Sequence, residues 1–132
     1  MKITVDTNVL VRSVMLDDQH QAQVASATLR KADAVAVPLP ALCEFVWVLR
    51  KVYGLAPDDV AVAIRALLAA DNVLVNRSAV ELGLALLMRG GDFADGVIAH
   101  EGVELGGDTF VSFDKKAANA LAELGIATNL LC

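Results

Sequence analysis

Short apolar runs alternate with longer stretches of helical periodicity along this chain. Ile3-Thr4-Val5, Ala34-Val35-Ala36-Val37, Val73-Leu74-Val75 and Thr109-Phe110-Val111-Ser112 read as four strands, with Ile126-Ala127-Thr128 a candidate fifth. The runs are apolar rather than alternating, the pattern of strands covered on both faces. Between them lie helical patterns with start and stop signals. One stretch spans roughly Asn8 to Lys31, broken around Asp17-Asp18. Pro40 suits the first turn of a helix reaching about Tyr53, and Gly54 suits its end. Pro57 opens the next, with Asp58 and Asp59 near its positive end. Ser78 and Glu81 fit an S-x-x-E capping box for a helix that stops at Gly90-Gly91. Two more are expected from near Asp92 to about Leu105 and from near Asp114. This alternation predicts one three-layer α/β domain over residues 1–132, with a mainly parallel four- to five-stranded sheet flanked by helices. No internal repeat or linker is visible.

Composition narrows the class. Of 132 residues, 56% are hydrophobic, which is enough apolar surface to offset ordering entropy and excludes a disordered tail. Eleven basic residues against 16 acidic ones give a net charge of -5, so the basic footprint of sequence-independent nucleic-acid binding is absent. Cys43 and Cys132 are too few for a disulfide scaffold and lack metal-ligand spacing. Cys43 lies in an apolar run and reads as a buried thiol, which points to a reducing cytoplasm. The start Met1-Lys2-Ile3-Thr4-Val5-Asp6 breaks before a signal-peptide core could form. The most apolar region, 34–49, holds Pro38, Pro40 and Glu44, so no membrane span is expected.

Four acids stand apart from the solvated surface. Asp6 follows the first strand, at the carboxyl end where open α/β sheets gather ligands; capping the next helix is the competing role. Glu44 is the only charged residue between Asp33 and Arg50. Its helical neighbours Ala41, Trp47 and Val48 predict an apolar face, where an unpaired carboxylate is expensive and a bound cation would offset it. Asp95 has Ile98 and Ala99 at i+3 and i+4; Asp92, three residues earlier, fits the helix cap, while Asp95 either complements the dipole or serves the site. Asp114 repeats the geometry of Asp6, with the same two readings. On one parallel sheet these acids are expected to converge. Oxygen-only ligation favours Mg²⁺ or Mn²⁺, and such ions polarise phosphodiesters and activate water. The four acids account for four of the five net negative charges, so metal loading would remove the objection to an anionic substrate. His20 and His100 lack acidic partners at useful spacing, and Arg12, Arg50, Lys51, Lys115 and Lys116 read as solvated charges. Phe45 and Trp47 read as core or dimer contacts.

The run Val5-Asp6-Thr7-Asn8-Val9-Leu10-Val11-Arg12 resembles the opening of PIN-domain ribonucleases, specifically the VapC-type toxins of bacterial type II toxin–antitoxin pairs. Leu42-Cys43-Glu44-Phe45-Val46-Trp47-Val48-Leu49 resembles that family's central Glu helix. Asp92-Phe93-Ala94-Asp95-Gly96-Val97-Ile98-Ala99 and Val111-Ser112-Phe113-Asp114 follow in the family's order, so the likeness covers nearly the whole chain. The resemblance implies a Mg²⁺- or Mn²⁺-dependent endoribonuclease. Asp6, Glu44 and Asp95 would be its metal-binding acids, Asp114 the more variable fourth, and Asp92 a possible additional approach to the metal. Thr7 and Ser112 would be small hydroxyl residues near the metal and the RNA substrate. It also implies a homodimer silenced by a cognate VapB-like antitoxin.

Three other classes compete. A phosphoryl-accepting receiver needs paired acids after the first strand and an acceptor Asp after the third, but here Asp6 precedes Thr7-Asn8 and the third run ends at Val75-Asn76. An Asp-nucleophile phosphatase wants an acid where Asn8 stands. A non-catalytic interaction module on the same fold is the other alternative, and retention of all four acids argues against it.

Overall fold

The computed structural model describes residues 1–132. Seven helices and five short strands alternate: β1 (Lys2–Thr4), α1 (Thr7–Val14), α2 (Gln19–Lys31), β2 (Ala34–Ala36), α3 (Leu39–Lys51), α4 (Pro57–Ala69), β3 (Val73–Leu74), α5 (Arg77–Met88), α6 (Phe93–Glu104), β4 (Phe110–Ser112), α7 (Lys115–Glu123) and β5 (Thr128–Leu130). The α/β class and the parallel pairing agree with the sequence. The hydrogen bonds divide the strands into a ladder of three, β1-β2-β3, and a ladder of two, β4-β5, both parallel. The chain divides into two compact units, Met1–Asn76 and Arg77–Cys132.

In the first unit, β2 is central, pairing Ile3 with Val35 and Val35 with Val73. Val35 is fully buried, as a β-branched residue between two neighbouring strands should be. Helix α3 buries Leu42, Phe45, Val46 and Leu49, an i, i+3, i+4, i+7 stripe. Val60 and Ile64 of α4 and Leu10 and Val11 of α1 are buried in the same unit. The break after α1 is fixed by Asp18, whose carboxylate accepts the Gln21 amide at 3.0 Å to cap α2. Asn72 ties the approach to β3 back to α2, donating to the Leu29 and Ala32 carbonyls at 2.8 and 3.0 Å and so satisfying otherwise free helix-end acceptors.

The second unit rests on a close approach of α5 and α6. A Cβ on Gly96 would lie 2.7 Å from the Gly83 Cα and 2.7 Å from the Leu82 carbonyl oxygen. Glycine at both positions lets two backbones meet where no side chain fits, and Phe93, 1% exposed, packs over Gly83. Leu86, Ala99, Ala120 and Leu121 form the core beside them, with Phe110, Leu124 and Ile126 against it.

Several local expectations are corrected. The strands are two or three residues long; central β2 has no exposed position, but Leu74 in β3 and Val111 in β4 are exposed, so those strands are not covered on both faces. The last strand is Thr128–Leu130 rather than 126–128, because Gly125 turns at φ +89° and the Ile126 amide returns to the Leu121 carbonyl at 3.0 Å, keeping Ile126 with the core. Helix α5 begins at Arg77, which puts Ser78 inside the first turn and Asn76 at the position before the helix. Cys43 is half-buried rather than buried, and neither cysteine forms a disulfide.

Gly96→Ala is expected to destabilise the protein by about 2–3 kcal/mol, the upper range for overpacking, because the atoms it meets are backbone. Urea unfolding measures it; a loss below about 0.5 kcal/mol would contradict the close helix approach.

Candidate functional site

The bland and the functional readings of three acids turn out to share one geometry. Asp6, Asp92 and Asp114 each sit at the entrance of a helix and use one oxygen, Oδ1, as its cap. Asp6 accepts the Val9 amide at 3.2 Å, Asp92 the Ala94 amide at 3.0 Å and Asp114 the Ala117 amide at 3.1 Å. The hydrogen bond satisfies a free helix-end donor and places the carboxylate in the favourable field of the helix N-terminus. It also fixes the side chain, while Oδ2 is outside that bond.

Within the first unit, the Asp6 turn is fastened to the helix that carries Glu44. The Thr7 hydroxyl donates to the Ala41 carbonyl at 3.3 Å, one helical turn before Glu44. Glu44 itself is exposed, which corrects the expectation of an apolar surrounding. The buried stripe of α3 passes through residues 42, 45, 46 and 49, and Glu44 lies off it beside Trp47, which is 58% exposed. Sequence neighbours were apolar, yet they belong to a face that the rest of the chain leaves open. The desolvation argument therefore does not apply to Glu44.

It applies to Asp95. This residue is half-buried at the third position of α6, in the first turn after the Asp92 cap. Burial, followed by the negative charges of Asp92 and Asp114, holds its carboxyl above the ordinary carboxylate range. Asp92, Asp95 and Asp114 thus form an acidic corner in the second unit. Ser112 shapes its edge: its hydroxyl accepts the Asp114 amide at 2.9 Å, so it orders the turn that presents Asp114.

All these donors are carboxylate oxygens, and the repulsion raised at Asp95 is the kind that a divalent cation relieves. The donor set fits Mg²⁺ or Mn²⁺ and does not suit softer ions. No group of three or more His, Cys, Asp or Glu side chains is gathered closely enough to hold a metal ion. Sequence reasoning missed one pair: His100 Nδ1 lies 3.1 Å from Glu104 Oε1, an i, i+4 contact that spacing alone could have revealed. It also set aside Arg12 and His20, which line a groove with Asp6.

The PIN domain family model matches residues 3–123, and the chain belongs to the PIN-domain family. A search among curated proteins gave no match. PIN domains are typically metal-dependent nucleases, which is the class the acidic donors fit. No helix is long and apolar enough to cross a membrane.

Because Asp95 is easier to protonate in the fold than in the unfolded chain, the native state binds the extra proton and stability falls as pH rises from the ordinary carboxyl value of 3.8 through the raised native value. Asp95→Asn is expected to gain at most about 1 kcal/mol at neutral pH without metal, since partial exposure screens the repulsion, and the gain should shrink on acidification. Urea unfolding across pH in EDTA checks the sign. Mg²⁺ should raise the melting temperature of the wild type more than that of the variant.

Proposed function

We propose that this chain is a Mg²⁺- or Mn²⁺-dependent endoribonuclease, a cytoplasmic VapC-type toxin that acts as a homodimer and is silenced by a VapB-like antitoxin. The observation that carries the nuclease reading is Asp95: a half-buried carboxylate, pushed toward protonation by burial and by two further acids, within a PIN-domain match that spans most of the chain. Such a group is out of place in a merely structural helix start and suited to a cation site.

The proposed oxygen donors are Asp6, Glu44, Asp95 and Asp114, with Asp92 held to its capping role and able to add charge. A bound dication would neutralise the phosphodiester and make a water more acidic. The chain's own contribution is placement. The cap bonds hold Asp6 and Asp114, Thr7 fastens the Asp6 turn to α3, and Ser112 orders the turn before Asp114. Glu44, exposed in α3, meets a cation without a desolvation penalty of its own. The toxin role rests on the likeness of Val5–Arg12 and the later motifs to that family.

The purified protein should cut RNA in Mg²⁺ or Mn²⁺ and stop in EDTA. Asp6→Asn and Glu44→Gln should each lower the rate at least about 100-fold, the scale for losing a preorganised charged group. Cleavage without metal, or full activity in both variants, contradicts the reading. Expression of the wild type should arrest growth, with relief by its antitoxin and by Asp6→Asn; harmless wild-type expression beside measurable RNA cleavage in vitro would remove the toxin role alone.

A further inference from the structure

A groove of about 430 Å³ runs between α1 and α2, rimmed by Asp6, Asn8, Arg12, His20, Gln21 and Thr28. Its floor includes Val24, 52% exposed and so an apolar surface open to a ligand. The two helices are joined by a short turn at 15–18 and pack together as a helical hairpin. Arg12 follows Asp6 by six residues, roughly 9 Å along a helix axis at 1.5 Å per residue. A carboxylate stands at one end and a guanidinium with an imidazole at the other, with side-chain amides and an apolar floor between.

Arg12 is held in this position by contacts from outside the groove. Its Nη1 donates to Asp17 Oδ1 at 3.1 Å, and the Tyr53 hydroxyl donates to Asp17 Oδ2 at 2.8 Å. The Tyr53 bond, more than the Arg12 charge, keeps the Asp17 carboxyl below its ordinary range and therefore charged. Tyr53 is itself set by the end of α3, where Gly54 turns at φ +69° and the Tyr53 amide returns to the Val48 carbonyl at 3.2 Å. One carboxylate uses a small part of a five-donor guanidinium, and Arg12 Nε is buried with no acceptor. The residue is anchored through Nη1, lines the groove and keeps guanidinium donors that the carboxylate does not occupy.

We infer that the α1–α2 groove is a subsite for a nucleotide of the RNA substrate next to the scissile bond, with Arg12 its phosphate contact and Asp17 with Tyr53 the residues that position Arg12. The inference rests on the ribonuclease reading for the identity of the polymer. An apolar floor takes the face of a base or ribose, Asn8 and Gln21 offer donors and acceptors to base edges, and Arg12 takes the phosphate as a charged fork. His20, exposed at the start of α2, is a second donor at the same end.

The test uses the full chain and an unstructured RNA oligonucleotide in Mg²⁺. Arg12→Gln should raise KM at least tenfold with a smaller change in kcat, and should reduce the slope of log KM against log salt by about 0.7, the share of one phosphate on a single strand. Arg12→Lys should restore most of KM and the slope. Tyr53→Phe should raise KM by about threefold and leave the salt slope near that of the wild type, because the phosphate contact is loosened rather than removed. Melting temperatures of all variants identify any loss of fold. Separately, a phosphorothioate-linked, 2′-O-methyl pentanucleotide that resists cleavage should shift the NMR signals of Arg12 Nε–Hε and the His20 ring. Unchanged KM and salt slope in Arg12→Gln while RNA is cut, or shifts that avoid both side chains, overturns the subsite and leaves the nuclease standing. Absence of cleavage by the wild type overturns the nuclease, and the pentanucleotide shifts then still decide whether the groove takes nucleic acid.

Discussion

The acids of this protein are placed by the same hydrogen bond that starts its helices. A helix begins with backbone amides that have no partner, and a side-chain carboxylate at the cap meets one of them. Asp6, Asp92 and Asp114 each do this with one oxygen. Such a cap contributes about 1 kcal/mol, so it stabilises the local fold and immobilises a charged group in one step. A carboxylate on a free loop would lose rotamer entropy on binding a cation; one already bonded to an amide has lost most of it. A capping bond through one oxygen leaves the other outside it, so capping does not exclude the proposed metal binding.

Asp95 shows the other side of that economy. It is not the cap, its surroundings are partly apolar, and two acids lie close enough to raise its proton affinity. Without a cation, the second unit bears the cost of a half-buried carboxylate beside two like charges. Glu44 carries no such penalty, because water reaches it. The proposed donors thus differ in kind: some are held by the backbone, one is strained by burial, and one is solvated. A cation changes the energy of the strained one most, which makes Asp95 the position where loading should be felt in stability.

Local signals in the sequence were reliable where local chemistry decides. The break between α1 and α2 follows from Asp17-Asp18, the start of α4 from Pro57, and the starts of α6 and α7 from Asp92 and Asp114. The family likeness rested on the same short segments and agrees with the PIN-domain match. What the sequence concealed was set by packing. Ala41, Trp47 and Val48 made Glu44 look enclosed, but only positions 42, 45, 46 and 49 of that helix face the core. The register of β5 depended on Gly125 releasing the chain so that Ile126 could stay with Leu121, a tertiary preference invisible in a run of three apolar residues. The partnership of Arg12, Asp17 and Tyr53 joins residues 36 positions apart, beyond any periodicity.

That partnership bears on how an acidic protein would handle RNA on the proposed reading. With a net charge of -5 there is no long-range field to draw RNA in, and association must depend on charges placed at short range. A dication at the carboxylates would reverse the local sign at the scissile bond. A guanidinium roughly 9 Å along α1 could then carry a neighbouring phosphate. An arginine free in solvent would spend most of its time hydrated, with its rotamers averaged. Fixing it against Asp17 removes one unit of net positive charge from the surface and preserves the donors that the carboxylate does not occupy. On the proposed reading, the result would be a weak general attraction and a definite local contact, favouring a strand that fits the groove over polyanions at large.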